Sequence, residues 1–89
     1  MTLHIVSQNN PFVLKNCLAV AGPNDALVFI NDGVYALATH AALVKRPLTY
    51  ALAHDITTRG LTLNHLIEPL SYSQFVALSC QYNPVQSWY

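Results

Sequence analysis

Eighty-nine residues, 53% of them apolar and only 9% charged, with a formal net charge of zero, set the frame. Soluble domains average about 25% charged residues, so this chain cannot cover itself in polar surface, and apolar patches left outside point to protein contacts. A nucleic-acid binder needs a basic stripe to displace counterions; Lys45-Arg46 is the only basic pair, which argues against direct binding of tRNA or DNA by this chain alone.

In chain order, "LHIV" (Leu3 to Val6) is a short β-branched apolar run suited to a strand covered on both faces. Asn10 is placed to cap a helix and Pro11 fits its first position. Leu14, Cys17, Leu18 and Ala21 then follow the i, i+3, i+4, i+7 spacing of one helical face, and Gly22-Pro23 ends the helix. "ALVFI" (Ala26 to Ile30) is continuous rather than alternating, the pattern of an interior parallel strand, and "LTYAL" (Leu48 to Leu52) repeats it. Between them, Ala36, Ala38, Ala41, Ala42 and Leu43 favour a crossover helix.

Asn31-Asp32-Gly33 separates two apolar runs, which taken alone is a hairpin signal. The alternation around it makes it a strand-to-helix junction instead, with Asn31 or Asp32 as the helix cap and Gly33 permitting close chain approach. Asp55 opens a short helical turn, pairs at i, i+4 with Arg59 as a structural ion pair, and Gly60 closes the turn. A brief edge strand near Leu66 to Leu70 contains Pro69. Ser71 and Gln74 form a capping box for a last helix through Phe75, Val76, Leu78 and Ser79 towards Cys80.

The β-α-β-α-β-α-β-α order predicts one small α/β domain over residues 1–89, a parallel four-stranded sheet with helices on both faces. No segment is long and apolar enough for a membrane span, and the N-terminus has no signal-peptide pattern. Two cysteines, Cys17 and Cys80, are too few for a secreted disulfide framework. A soluble cytoplasmic protein is expected.

These segments, in this order, resemble the DsrH/TusB family of sulfur-relay proteins. "LHIV" is similar to the family's Leu-His opening and "NPF" to its Ser-Pro-aromatic entry into the first helix. "DALVFINDGVYAL" resembles its strand ending in acid-Gly-hydrophobic. "YALAHDITTRGL" resembles its Asp-x-x-Ala-Arg-Gly stretch, with Thr58 where Ala is usual. "SYSQFVAL" resembles its Asp-Tyr-x-x-Phe-Val segment, with Ser71 for the aspartate, and "VQSWY" its Trp-bearing tail.

The resemblance implies a reduced DsrE-like fold with strand order 2-1-3-4. It also implies a place in a heterohexamer with homologous TusC- and TusD-like, or DsrF- and DsrE-like, subunits. In the Tus branch such a complex passes persulfide sulfur towards a tRNA thiolase for 2-thiolation of the wobble uridine. In the Dsr branch it serves sulfur oxidation. In both, the sulfur-carrying cysteine belongs to the D/E-type subunit, so this chain is expected to be non-catalytic and to need no cofactor. A stand-alone thiol carrier, or a small-ligand-binding homo-oligomer, is the reading from another class.

Cys17 is the one sulfur-acceptor candidate, because some DsrH-type members resemble it in having a cysteine there. Its mid-helix position beside Leu14 and Leu18 argues for an inert core thiol. Cys80 is expected in the core on the same reasoning. The histidines His4, His40, His54 and His65 lack metal-ligand spacing, and His4 reads as an imidazole buried by hydrogen bonds. Asp32 reads as a cap rather than a general base, since no second catalytic group is identifiable nearby. Tyr82, Trp88 and Tyr89 are candidate aromatic anchors, docking either on their own domain or on a neighbour.

Overall fold

The computed structural model describes residues 1–39, 48–62 and 67–88. The expected helix positions Ala41, Ala42 and Leu43, the Lys45-Arg46 pair, His40, His65, the strand start at Leu66 and the anchor Tyr89 lie outside the described residues. The elements are β1 (Leu3–Val6), α1 (Pro11–Val20), β2 (Ala26–Phe29), a 3-10 helix (Asn31–Tyr35) running into α2 (Ala36–Thr39), β3 (Thr49–Leu52), α3 (Ala53–Thr58), β4 (Glu68–Leu70), α4 (Tyr72–Gln81) and β5 (Val85–Trp88).

All strand pairs are parallel, in the order β4-β3-β2-β1-β5. This corrects two expectations. The sheet has five strands rather than four, because "VQSW" pairs with β1 instead of trailing as a tail. The order is also not 2-1-3-4: each of the first three crossovers steps one strand further in the same direction. Right-handed crossovers stepping one way place their helices on one face, and the long return from β4 to β5 places its helix on the other.

The two cores agree with that geometry. On one face Leu14 and Cys17 of α1, Val34, Ala36, Leu37 and Ile56 pack against Val6, Leu27, Phe29 and Ala51. On the other, Phe75 and Leu78 of α4 pack over Leu3, Ala26, Val28 and Leu70. Phe29 is the largest fully buried side chain, and its burial contributes about 2–3 kcal/mol.

Local chemistry explains the boundaries. The Asn10 side chain accepts from the amides of Phe12 and Val13, with Pro11 at the first helical position. Ser71 Oγ accepts from the Gln74 amide at 3.2 Å while Gln74 Oε1 accepts from the Ser71 amide at 2.8 Å, the expected capping box. Gly60, at φ +64°, ends α3: its amide donates to Thr57 and that of Leu61 to Ile56, and Ile56 and Leu61 share the first core.

Large apolar side chains remain outside on both helical layers. Phe12 is 75% and Tyr72 68% exposed, with Val20 and Val76 also out. Cys80 corrects the expectation of a core position: it is exposed. No residue of α4 is fully buried, because the helix rests on the sheet through Phe75 and Leu78 alone.

Candidate functional site

The residues that resemble family motifs converge at the carboxyl ends of β2 and β3. Past Phe29, the Ile30 amide still donates to the Val6 carbonyl at 3.0 Å, so the chain leaves β2 tied to the end of β1. Asn31 then takes a left-handed φ of 49° and starts the 3-10 helix. Gly33 lies buried against β1; a Cβ there would run into the Val6 carbonyl oxygen and come within 3.2 Å of Ser7 Cα. The close approach expected of Gly33 is therefore a backbone-on-backbone contact.

The capping expectation needs correction. Ile30 is the cap residue and makes no side-chain cap bond; neither Asn31 nor Asp32 caps. The orphan Asn31 amide donates instead to Asp55 Oδ2 at 2.8 Å, a carboxylate supplied by α3 from 24 positions away. A helix end left without a local cap needs such a partner.

Asp55 Oδ1 also takes Arg59 Nη1 at 3.2 Å, the expected i, i+4 ion pair. Arg59 reaches further than its own helix: Nη2 and Nε donate to Asp32 Oδ1 at 3.0 and 3.3 Å, and the guanidinium sits 5.8 Å from the centroid of the Tyr35 ring. The Asp32 hydrogen bond holds the Arg59 pKa above its ordinary value, and the Asp32 and Asp55 charges add to this. One arginine thus clasps the 3-10 helix to α3. Its Nε and Nη2 donate to Asp32 and its Nη1 to Asp55. These contacts bind the 3-10 helix to α3. Asp32, 70% exposed, and Tyr35 form its outer surface.

Cys17 is fully buried, turned with Leu14 into the layer between α1 and the sheet. Its thiol is enclosed by the core, whereas reactive cysteines sit in partly exposed, electropositive surroundings. The site residues are thus split: Asn31, Asp32, Gly33, Asp55 and Arg59 form one cluster, with Gly60 ending the helix that carries it, and Cys17 lies apart from them. Among the described residues, no group of three or more His, Cys, Asp or Glu could hold a metal ion.

A second polar cluster lies on β1. His4 is 1% exposed; its Nε2 is 3.0 Å from Asp25 Oδ2, and its Nδ1 accepts from Trp88 Nε1 at 2.9 Å. His4 is thus the hydrogen-bonded buried imidazole expected of it, and Trp88 docks on its own chain. Tyr82 packs, half-buried, against the α4-side core. Asp25 also accepts the Thr2 and Gly22 amides at 2.8 and 3.0 Å. Those two backbone bonds, then the His4 bond, hold its carboxyl well below the usual carboxylate range. Sequence reasoning missed Asp25 and Tyr35. Asp25 sits in a Gly-Pro-Asn-Asp turn where an aspartate needs no special role, and no local signal announces a partner 21 residues away.

No curated protein matches the chain. Residues 7–85 match the sequence model of the DsrH-like proteins, a span running from the end of β1 to the start of β5. With most of its length matched, including the whole Asn31–Arg59 cluster, the chain belongs to the DsrH-like family.

Proposed function

We propose that the chain is a non-catalytic, structural subunit of a cytoplasmic sulfur-relay complex. In this reading it assembles with homologous TusC- and TusD-like subunits into a heterohexamer and positions their persulfide cysteine for the route to tRNA wobble-uridine 2-thiolation. The observation that carries the reading is the complete burial of Cys17, the one thiol the family resemblance offered as a sulfur acceptor. Family membership ties the chain to sulfur relay, and the lack of an accessible thiol at that position supports an assembly role within it.

The surface supports the same role. Exposed Phe12 and Val20 on α1, and Tyr72 and Val76 on α4, are apolar area of the kind that contacts partners. The Arg59 clasp joins the segments that follow β2 and β3, with Asp32 and Tyr35 on their outer surface. The second reading is a subunit of a DsrEFH-type assembly in sulfur oxidation, which the presence of a cysteine at position 17 favours.

Co-expression with the organism's TusC- and TusD-like proteins, followed by native mass spectrometry, tests the proposal. A complex containing all three subunits is expected. Rapid persulfide uptake at Cys17 by the purified Cys80→Ser chain would overturn the structural-subunit reading.

A further inference from the structure

β5 is the least embedded strand of the sheet. Among the described strands its only neighbour is β1, and Val85, Gln86 and Ser87 are exposed. Trp88 is its one side chain packed against a core. The indole reaches inward to His4, with ring centroids 6.0 Å apart and planes at 37°, and the N–H donates to Nδ1 at 2.9 Å.

That bond fixes the imidazole. An indole N–H can only donate, so Nδ1 must carry the lone pair, and the ring proton sits on Nε2, donated to Asp25 Oδ2. A second proton has one place to go, Nδ1, where it would meet the Trp88 N–H donor to donor. Nothing then pulls the ring away from Asp25, because an imidazolium binds a carboxylate more strongly than a neutral ring does. The disruption falls on Trp88.

We propose that the His4–Trp88 hydrogen bond is a proton-operated latch: protonating His4 on Nδ1 releases Trp88 and loosens β5 from the edge of the sheet. Loss of β5 would uncover the outer row of β1 amides and carbonyls, an edge able to pair with another strand. The groups around His4 allow a one-proton device. Asp25, from the turn before β2, stays ionised through mildly acidic pH because the Thr2 and Gly22 amides hold it so. The strand neighbours Leu27 and Gln86 carry no charge. On α1, which covers this face, Lys15 is exposed and Cys17 is the buried thiol.

The chain has a single tryptophan, so one indole N–H resonance reports the latch. The experiment follows that resonance, its solvent exchange and the His4 ring signals from about pH 8 to about pH 5, the range in which histidines change charge. A variant with His40, His54 and His65 all changed to Gln isolates His4. The expected result is that the indole signal shifts and its exchange, corrected for pH, rises about tenfold or more as the pH falls, with far-ultraviolet circular dichroism unchanged. His4→Asn, which keeps an acceptor for Trp88 but cannot gain charge, should abolish the response. An indole signal that keeps its position and protection throughout, or one lost only together with the whole fold, overturns the proposal.

Discussion

Replacing Gly33 with Ala separates two physical arguments that disagree in sign. Gly33 lies in a 3-10 helix, and helical propensity alone credits Ala with a gain of up to about 1 kcal/mol over Gly. The structure demands the opposite. The new Cβ would strike the Val6 carbonyl group, its oxygen and then its carbon at 2.8 Å, with Ser7 Cα at 3.2 Å. Neither can rotate away as a side chain would, because the Val6 carbonyl accepts the Ile30 amide at 3.0 Å. Relief requires the whole junction to move off β1, straining the Asn31–Asp55 bond and the Arg59 clasp with it. Forced overpacking costs about 1–3 kcal/mol, and with backbone on both sides the upper end, about 3 kcal/mol, applies. For a chain of this size that is roughly a 15 °C fall in Tm. Thermal and urea unfolding of the variant measure it directly. Gly60→Ala is the comparison: nothing lies within 4 Å, and only the left-handed φ of +64° is strained, at about 1–2 kcal/mol. A Gly33→Ala protein as stable as the parent would refute the tight β1 contact.

Three further outcomes are expected. A colorimetric thiol reagent should modify Cys80 at once and Cys17 only on unfolding; equal native rates would contradict the burial of Cys17. Asp25 is held below its ordinary range when folded, so its stabilisation is fully present above the unfolded value near 3.9 and is lost as pH falls below it. Asp25→Asn should therefore flatten the acid limb of a Tm–pH curve, and an unchanged limb would show that the carboxylate contributes nothing. Asp55→Ala should cost about 1–2 kcal/mol by urea titration, because the Asn31 amide loses its acceptor; a neutral result would mean water replaces it.

How much of this was legible in the sequence depended on the range of each interaction. The α1 start at Asn10-Pro11, its Leu14–Cys17 face and the Ser71–Gln74 box rest on residues three or four apart, and they read correctly. The Asp55–Arg59 pair and the Gly60 stop did so for the same reason. Asn31 misled because its amide has a partner 24 residues on, which no local pattern announces. β5 was missed because "VQSW" is mostly exposed and polar, lacking the continuous apolar run that marked β2. Cys80 was misplaced because a helix touching the sheet through Phe75 and Leu78 alone buries far less than α1 does. Strand order follows from which way each crossover steps, and no residue encodes that by itself.

The central claim, a subunit that assembles but does not carry sulfur, is tested most directly by labelled-sulfur passage through a complex reconstituted with the proposed TusC- and TusD-like partners. The measurement compares the natural chain with the Cys17→Ala/Cys80→Ser variant, with assembly verified by native mass. Equal rates of sulfur delivery are predicted. An assembled complex that no longer passes sulfur would show that a thiol of this chain belongs to the relay.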